Sequence, residues 1–267
     1  MDSLQAIMDR MFLKTRTCPI KSSCDAEQEK IDRFNSTIGE WKGFNCERCK
    51  NRGSVAVKDK NGKMAIEPCS CREIRKAKKL IKESGINNES SFADFKVTKN
   101  YQEAMLARAK EFVADPSGKW FYMAGQNGIG KSLLCAAMVN ELLSKYIPCK
   151  YMLWRDVSVK LKAVVNNAEE YMAIMEPLKT INVLYIDDFL KTEQGKSPTE
   201  ADIKLAFELL NQRYCNRLST IISCERSLTE VINIDEAVGS RIYEKVGKFN
   251  IYIAKDRSKN YRLNGGK

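Results

Sequence analysis

The sequence predicts an α/β fold, a parallel sheet flanked by helices, preceded by a small cysteine-bearing module. Three observations carry this. Apolar strand-like runs at Trp120–Met123, Asn182–Ile186 and Ser219–Ser223 alternate with helical stretches, the order that builds a parallel sheet. Gly125–Ser132 reads G-x-x-x-x-G-K-S between a strand and a helix, the context a phosphate-binding loop requires. Cys46-x-x-Cys49 and Cys69-x-Cys71 bracket a strand–turn–strand pattern set apart from the rest. The expected division is residues 1–85 for the module and 86–267 for the phosphate-binding domain.

A length of 267 residues allows one large or two modest domains with a sizeable core. Charged residues at 30% and a mean hydropathy of −0.41 describe a soluble chain. The longest apolar run is broken by Asn140 and Glu141, so no membrane span is expected. The first residues lack a signal-peptide pattern, and a cytoplasmic protein is expected. A net charge of +11 fits either a polyanionic partner or a basic solvated surface. Ten cysteines in a phosphate-binding chain point to a reducing compartment rather than to disulfides. Histidine is absent, which excludes His-based triads and leaves thiolates and carboxylates as metal ligands.

Taken in order, Leu4, Ile7, Met8, Met11 and Phe12 fit one helix face, and Ile31, Phe34 and Ile38 fit another. These are packing pieces or docking helices for a partner; Cys18 and Cys24 have no evident role. Strands at Val55–Val57 and Met64–Ile66 flank the turn Asp59–Gly62. A hairpin there brings Cys46, Cys49, Cys69 and Cys71 together as a tetrahedral Zn²⁺ site, structural because four thiolates leave no open position. Buried free cysteines or an iron–sulfur cluster are the alternatives. The basic helix Arg72–Lys82, stopped at Ser84-Gly85, is either a solvated face or a contact for a phosphate backbone. Phe92–Phe95 leads into the second domain, followed by a helix over Tyr101–Val113 and a turn at Asp115–Gly118.

Glycines 125, 128 and 130 let the next turn adopt φ values that other residues avoid. The backbone of Gly125, Asn127, Gly128, Ile129, Gly130, Lys131, Ser132 and Leu133 then cradles phosphates at a helix N-terminus. Lys131 reaches the β- and γ-phosphates and the Ser132 hydroxyl holds Mg²⁺. After a break at Ile147-Pro148, Cys149–Trp154 is a strand, and helices fill 155–166 and 168–178. The next strand ends in Asp187-Asp188 at the ligand edge of the sheet. Asp187 completes the Mg²⁺ shell, and Asp188 orients or deprotonates the attacking water. A loop at Thr192–Thr199 precedes a helix at Glu200–Arg217. The strand Ser219–Ser223 then delivers the polar run to Arg226 beside the phosphates. A short helix at Ile234–Tyr243 carries Arg241, Phe249–Ala254 is the last strand, and a basic tail holds Tyr261–Leu263.

With the cysteine set and its trailing basic helix, Gly125–Ser132, Ile186–Asp188, Thr220–Ser223 and Gly239–Tyr243, the chain resembles the DnaC/IstB-type helicase-loader ATPases. The likeness is to the phage and Gram-positive variants with an N-terminal cysteine module. The resemblance implies an AAA+ core without a helical lid that hydrolyses ATP with Mg²⁺. It places Ser223, or Glu225, as the sensor of the γ-phosphate and Arg241 as an arginine finger acting on a neighbouring subunit's ATP. It implies a module that holds a replicative DNA helicase, an ATPase domain that contacts single-stranded DNA, and self-assembly through those domains. The alternatives are an IstB-like transposition helper that coats DNA and a zinc-dependent DNA-binding ATPase.

Overall fold

The computed structural model describes residues 23–42, 45–87, 90–193 and 196–263. The expected helix around Leu4–Phe12, Cys18 and the side chain of Cys24 lie outside the described residues. The chain divides into two compact units, Met1–Arg75 and Lys76–Lys267. The division falls within a helix that the sequence assigns wholly to the module.

In the first unit, helix α1 (Ser23–Ser36) packs on an antiparallel hairpin, β1 (Ser54–Lys58) and β2 (Met64–Pro68). Only short stretches of backbone are paired here, so side chains complete the joins. Asn35 holds both the N–H and the C=O of Ala56 at 2.9 Å, and Glu27 accepts the Met64 N–H at 3.0 Å. Ile31 is buried as expected, but Ile38 lies beyond the helix end and is 77% exposed. The helical period therefore stops before Ile38. The turn forms where the Asn-Gly pair predicts it. Asp59 accepts the Asn61 and Lys63 N–H groups at 2.8 Å each, and Gly62 takes φ +75°. Helix α2 (Cys71–Ser84) follows and ends at Gly85, as read.

The second unit carries a five-stranded parallel sheet in the order β4-β5-β6-β3-β7. Its strands are β3 (Trp120–Gly125), β4 (Cys149–Leu153), β5 (Val183–Asp187), β6 (Ser219–Cys224) and β7 (Asn250–Ile253). The helices are α3 (Asn100–Ala114), α4 (Lys131–Ser144), α5 (Trp154–Ala163), α6 (Ala168–Thr180), α7 (Glu200–Cys215), α8 (Leu228–Ile234) and α9 (Glu236–Val246). Strand periodicity splits the core into two layers. Trp120, Tyr122 and Ala124 face one with Leu209 and Ile242, while Phe121 and Met123 face the other with Met105 and Leu134.

The expected helix at Ile234–Tyr243 is α9, which runs from Glu236 to Val246, and at Asp235 it meets α8, a helix not expected from the sequence. Asp235 accepts the Val238 N–H at 2.7 Å and so caps α9, while Ser227 caps α8. Gly239 is required for their close approach, because a Cβ there would lie 2.6 Å from the Ile232 Cα. Helix α7 starts where predicted, on a Thr199–Asp202 capping box, and stops short of Arg217, which takes φ +52°. Arg213 on this helix is fully buried. It donates to Leu178 O at 2.8 Å, Ile181 O at 2.9 Å, Thr220 Oγ1 at 3.0 Å and Ser219 O, tying α6 and β6 together.

Candidate nucleotide and metal sites

Because β6 lies between β3 and β5, the C-terminal ends of three strands share one edge. The loop after β3, Asp187-Asp188 after β5 and Ser223–Glu225 after β6 converge there. The three loop glycines take φ +149°, +82° and +95°. A Cβ on Gly130 would come within 2.8 Å of the Phe95 ring, so the loop needs glycine for contact as well as for conformation. The loop lines a cleft of about 390 Å³, a size suited to a small-molecule ligand.

Lys131 is buried, and its ammonium donates to Gly125 O at 2.7 Å and Gln126 O at 2.9 Å. Burial pulls its pKa below the usual lysine range, against the opposing charges of Asp188 and Glu225. The Ser132 hydroxyl donates to Asp187 Oδ1 at 3.0 Å, bringing together the two groups expected to hold Mg²⁺. Ser223 is fully buried and donates to Asp187, while its oxygen accepts the Asp188 N–H at 3.1 Å. Its contacts therefore fix the carboxylate pair. Glu225 stands at the cleft margin. Burial opposes its charge, but Lys191 holds the carboxyl below its usual range. A divalent cation fits this donor set, the Ser132 hydroxyl and the Asp187 carboxylate meeting beside the glycine loop.

Arg241 on α9 is away from this cleft. It donates to Asn211 Oδ1 at 2.9 Å and Ala237 O at 2.7 Å, and its guanidinium lies 4.7 Å from the Phe207 ring centre.

Some cleft residues escaped sequence reasoning. Asp94, Phe95, Lys96 and Gln102 line one side; Lys191, Tyr261 and Arg262 line others. The C-terminal turn reaches the loop because Tyr261 N–H donates to Gly128 O at 2.9 Å and Gln126 clasps the Asp256 backbone at 2.7 and 2.8 Å. Nothing in the local pattern of a basic tail signals that return.

In the first unit, the sulfurs of Cys46, Cys49, Cys69 and Cys71 all lie within 4.8 Å of one another. The Cys46–Cys69 separation is 3.7 Å and Cys49–Cys71 is 3.4 Å. Tetrahedral Zn–S bonds of about 2.3 Å put ligand sulfurs about 3.8 Å apart, so the four match a zinc cage. Gly53 N–H donates to Cys49 Sγ at 3.3 Å, a bond that steadies a thiolate ligand. Gly53 also sits beneath the Trp41 indole, where a Cβ would clash.

The phage-like element PBSX protein XkdC of Bacillus subtilis (strain 168) is 31% identical over 236 residues, spanning 83% of this chain and 87% of XkdC. The crystal structure of the DnaC helicase loader is similar at a TM-score of 0.52 and 19% identity, covering 62% of this chain and 97% of that one. The replication initiator DnaA bound to AMPPCP and single-stranded DNA gives a TM-score of 0.54 at 17% identity. That match covers 67% of this chain and 54% of the DnaA chain. At these identities the solved structures share the AAA+ fold. No protein-family model matches the chain. No helix among the described residues is long and apolar enough to cross a membrane.

Proposed function

Because the chain belongs to the DnaC/IstB-type AAA+ helicase-loader ATPases, in the phage-type branch represented by XkdC, we propose that it loads a replicative DNA helicase at the expense of ATP. The observation that carries this is the convergence of the phosphate loop, Ser132–Asp187 and Asp188 on one cleft, in a chain that also builds a separate four-cysteine unit.

Each side chain has a distinct task. Lys131 leaves two backbone carbonyls for the β- and γ-phosphates, a swap that costs little because both partners are strong acceptors. Ser132 and Asp187 would hold Mg²⁺, which would supply charge neutralisation for the phosphates. Asp188 orients the attacking water, and Ser223 keeps Asp187 aimed. Arg241, remote from its own cleft, reaches the ATP of a neighbouring subunit, so hydrolysis depends on assembly through the ATPase domains. The N-terminal module, stiffened by Zn²⁺ on Cys46, Cys49, Cys69 and Cys71, grips the helicase. The ATPase domain follows single-stranded DNA, in keeping with a net charge of +11 and with the DNA-bound relative of the same fold. Such work belongs in the cytoplasm.

Co-purification with the replicative helicase of the same cell tests the reading. The expected result is a complex whose stability differs between ATP and ADP. Absence of a complex with either nucleotide, while DNA-stimulated ATP hydrolysis persists, would overturn it and favour a transposition helper.

A further inference from the structure

Lys191 belongs to none of the motifs described above, yet it stands at the centre of the cleft's charge. It follows β5 on a segment with two left-handed residues, Asp188 at φ +53° and Leu190 at φ +52°. Such a path is unfavourable for side chains larger than glycine and is held only by its surroundings. Here the surroundings are plain. Phe189 and Leu190 are buried, and the Phe189 N–H donates to Ser223 O at 2.9 Å. Arg226 donates to Leu190 O and, at 2.9 Å, to Thr192 Oγ1. The folded segment places the Lys191 ammonium between two carboxylates, 2.8 Å from Asp188 Oδ2 and 2.9 Å from Glu225 Oε1.

An exposed lysine pair usually contributes little to stability. This one is shared by carboxylates from the ends of two strands, and Lys191 lines the cleft together with Lys131 and Asp188. Its position along the cleft follows from its partners. Ser132 and Asp187, the pair that would hold Mg²⁺, meet at 3.0 Å, and Asp188 is the next residue. On the nucleotide-site reading, the Lys191 ammonium falls at the terminal-phosphate end of the cleft. That end also needs a cation. Asp188 and Glu225 would repel a terminal phosphate, and Lys191 is the cation that stands against both of them.

Resting on the nucleotide-site reading, we propose that Lys191 is the specificity-determining residue that distinguishes a nucleoside triphosphate from a diphosphate. Without nucleotide its ammonium is held between Asp188 and Glu225. With a triphosphate it turns onto a terminal phosphate oxygen, and Asp188 is freed to accept a hydrogen bond from water. A diphosphate offers no oxygen at that point, and the lysine stays on its carboxylates.

The test compares equilibrium binding of a non-hydrolysable ATP analogue and of ADP, both with Mg²⁺, to the full chain and to its Lys191→Met and Lys191→Arg variants. Losing a charge-assisted contact should weaken the analogue by about tenfold or more, and leave ADP within about twofold. Lys191→Arg should restore most of the discrimination. Equal weakening of both nucleotides, or unchanged binding of the analogue, would overturn the proposal. Failure of the unaltered chain to bind either nucleotide would instead defeat the nucleotide-site reading, and this proposal with it.

Discussion

Lys131→Ala is expected to lose ATP binding by at least about 100-fold, because the cradle loses the buried ammonium that answers the β- and γ-phosphates. The loop itself should survive. Gly125, Gly128 and Gly130 set its path, and the Gly128 carbonyl still accepts from Tyr261. Binding measured by calorimetry, beside a thermal melt showing an intact fold, separates loss of site from loss of structure. Unchanged affinity would remove the phosphate role of Lys131. The same variant also tests the reach of Arg241. Arg241→Ala should retain ATP binding but lose hydrolysis, by a factor on the order of 10³ or more if it acts as other arginine fingers do. Mixed with Lys131→Ala protein, it should regain turnover. One partner then supplies the finger and the other an intact loop. No recovery in the mixture would refute action between subunits.

Zinc removal should unfold the first unit and spare the second. Among its described residues, Cys49, Val55, Cys69 and Cys71 form the buried cluster, with Cys46 and Val57 packed against them. Structural zinc sites in small domains contribute about 10–16 kcal/mol of folding energy, more than so small a core can replace. Acid should act like a chelator, since all four ligands must be thiolates and protons compete with the metal. The check is hydrogen exchange with and without chelator. Protection in β1 and β2 should vanish while β3, β5 and β6 keep theirs, and ATP affinity should not change. Joint loss of both units would contradict their independence. If metal loss also releases the helicase, the loader reading gains; loss of DNA binding alone would favour a zinc-dependent DNA-binding ATPase.

What could be read from the sequence is what local chemistry encodes. The phosphate loop must be glycine-rich, strand-led and helix-followed, so it announces itself. Asp187-Asp188 ends an apolar run, and the paired cysteines bracket a turn whose Asn-Gly step is visible. What stayed hidden depends on partners far along the chain. Arg213 looks like an ordinary surface residue of α7 until the carbonyls of Leu178 and Ile181 are seen around it. Asp235 separates the unread α8 from α9 because its carboxylate caps the next turn. Lys191 is an unremarkable loop charge until β6 is inserted beside β5 and brings Glu225 to it. Tyr261 and Arg262 reach the cleft through backbone and side-chain clasps that carry no local signature.

The most direct measurement is helicase transfer onto a closed circular single strand, where a ring cannot thread over an end. The account predicts that the helicase becomes bound to the circle only with this protein and ATP, and that Lys131→Ala protein fails to support it. Equal binding without the protein, or none with it and ATP, would contradict a loader.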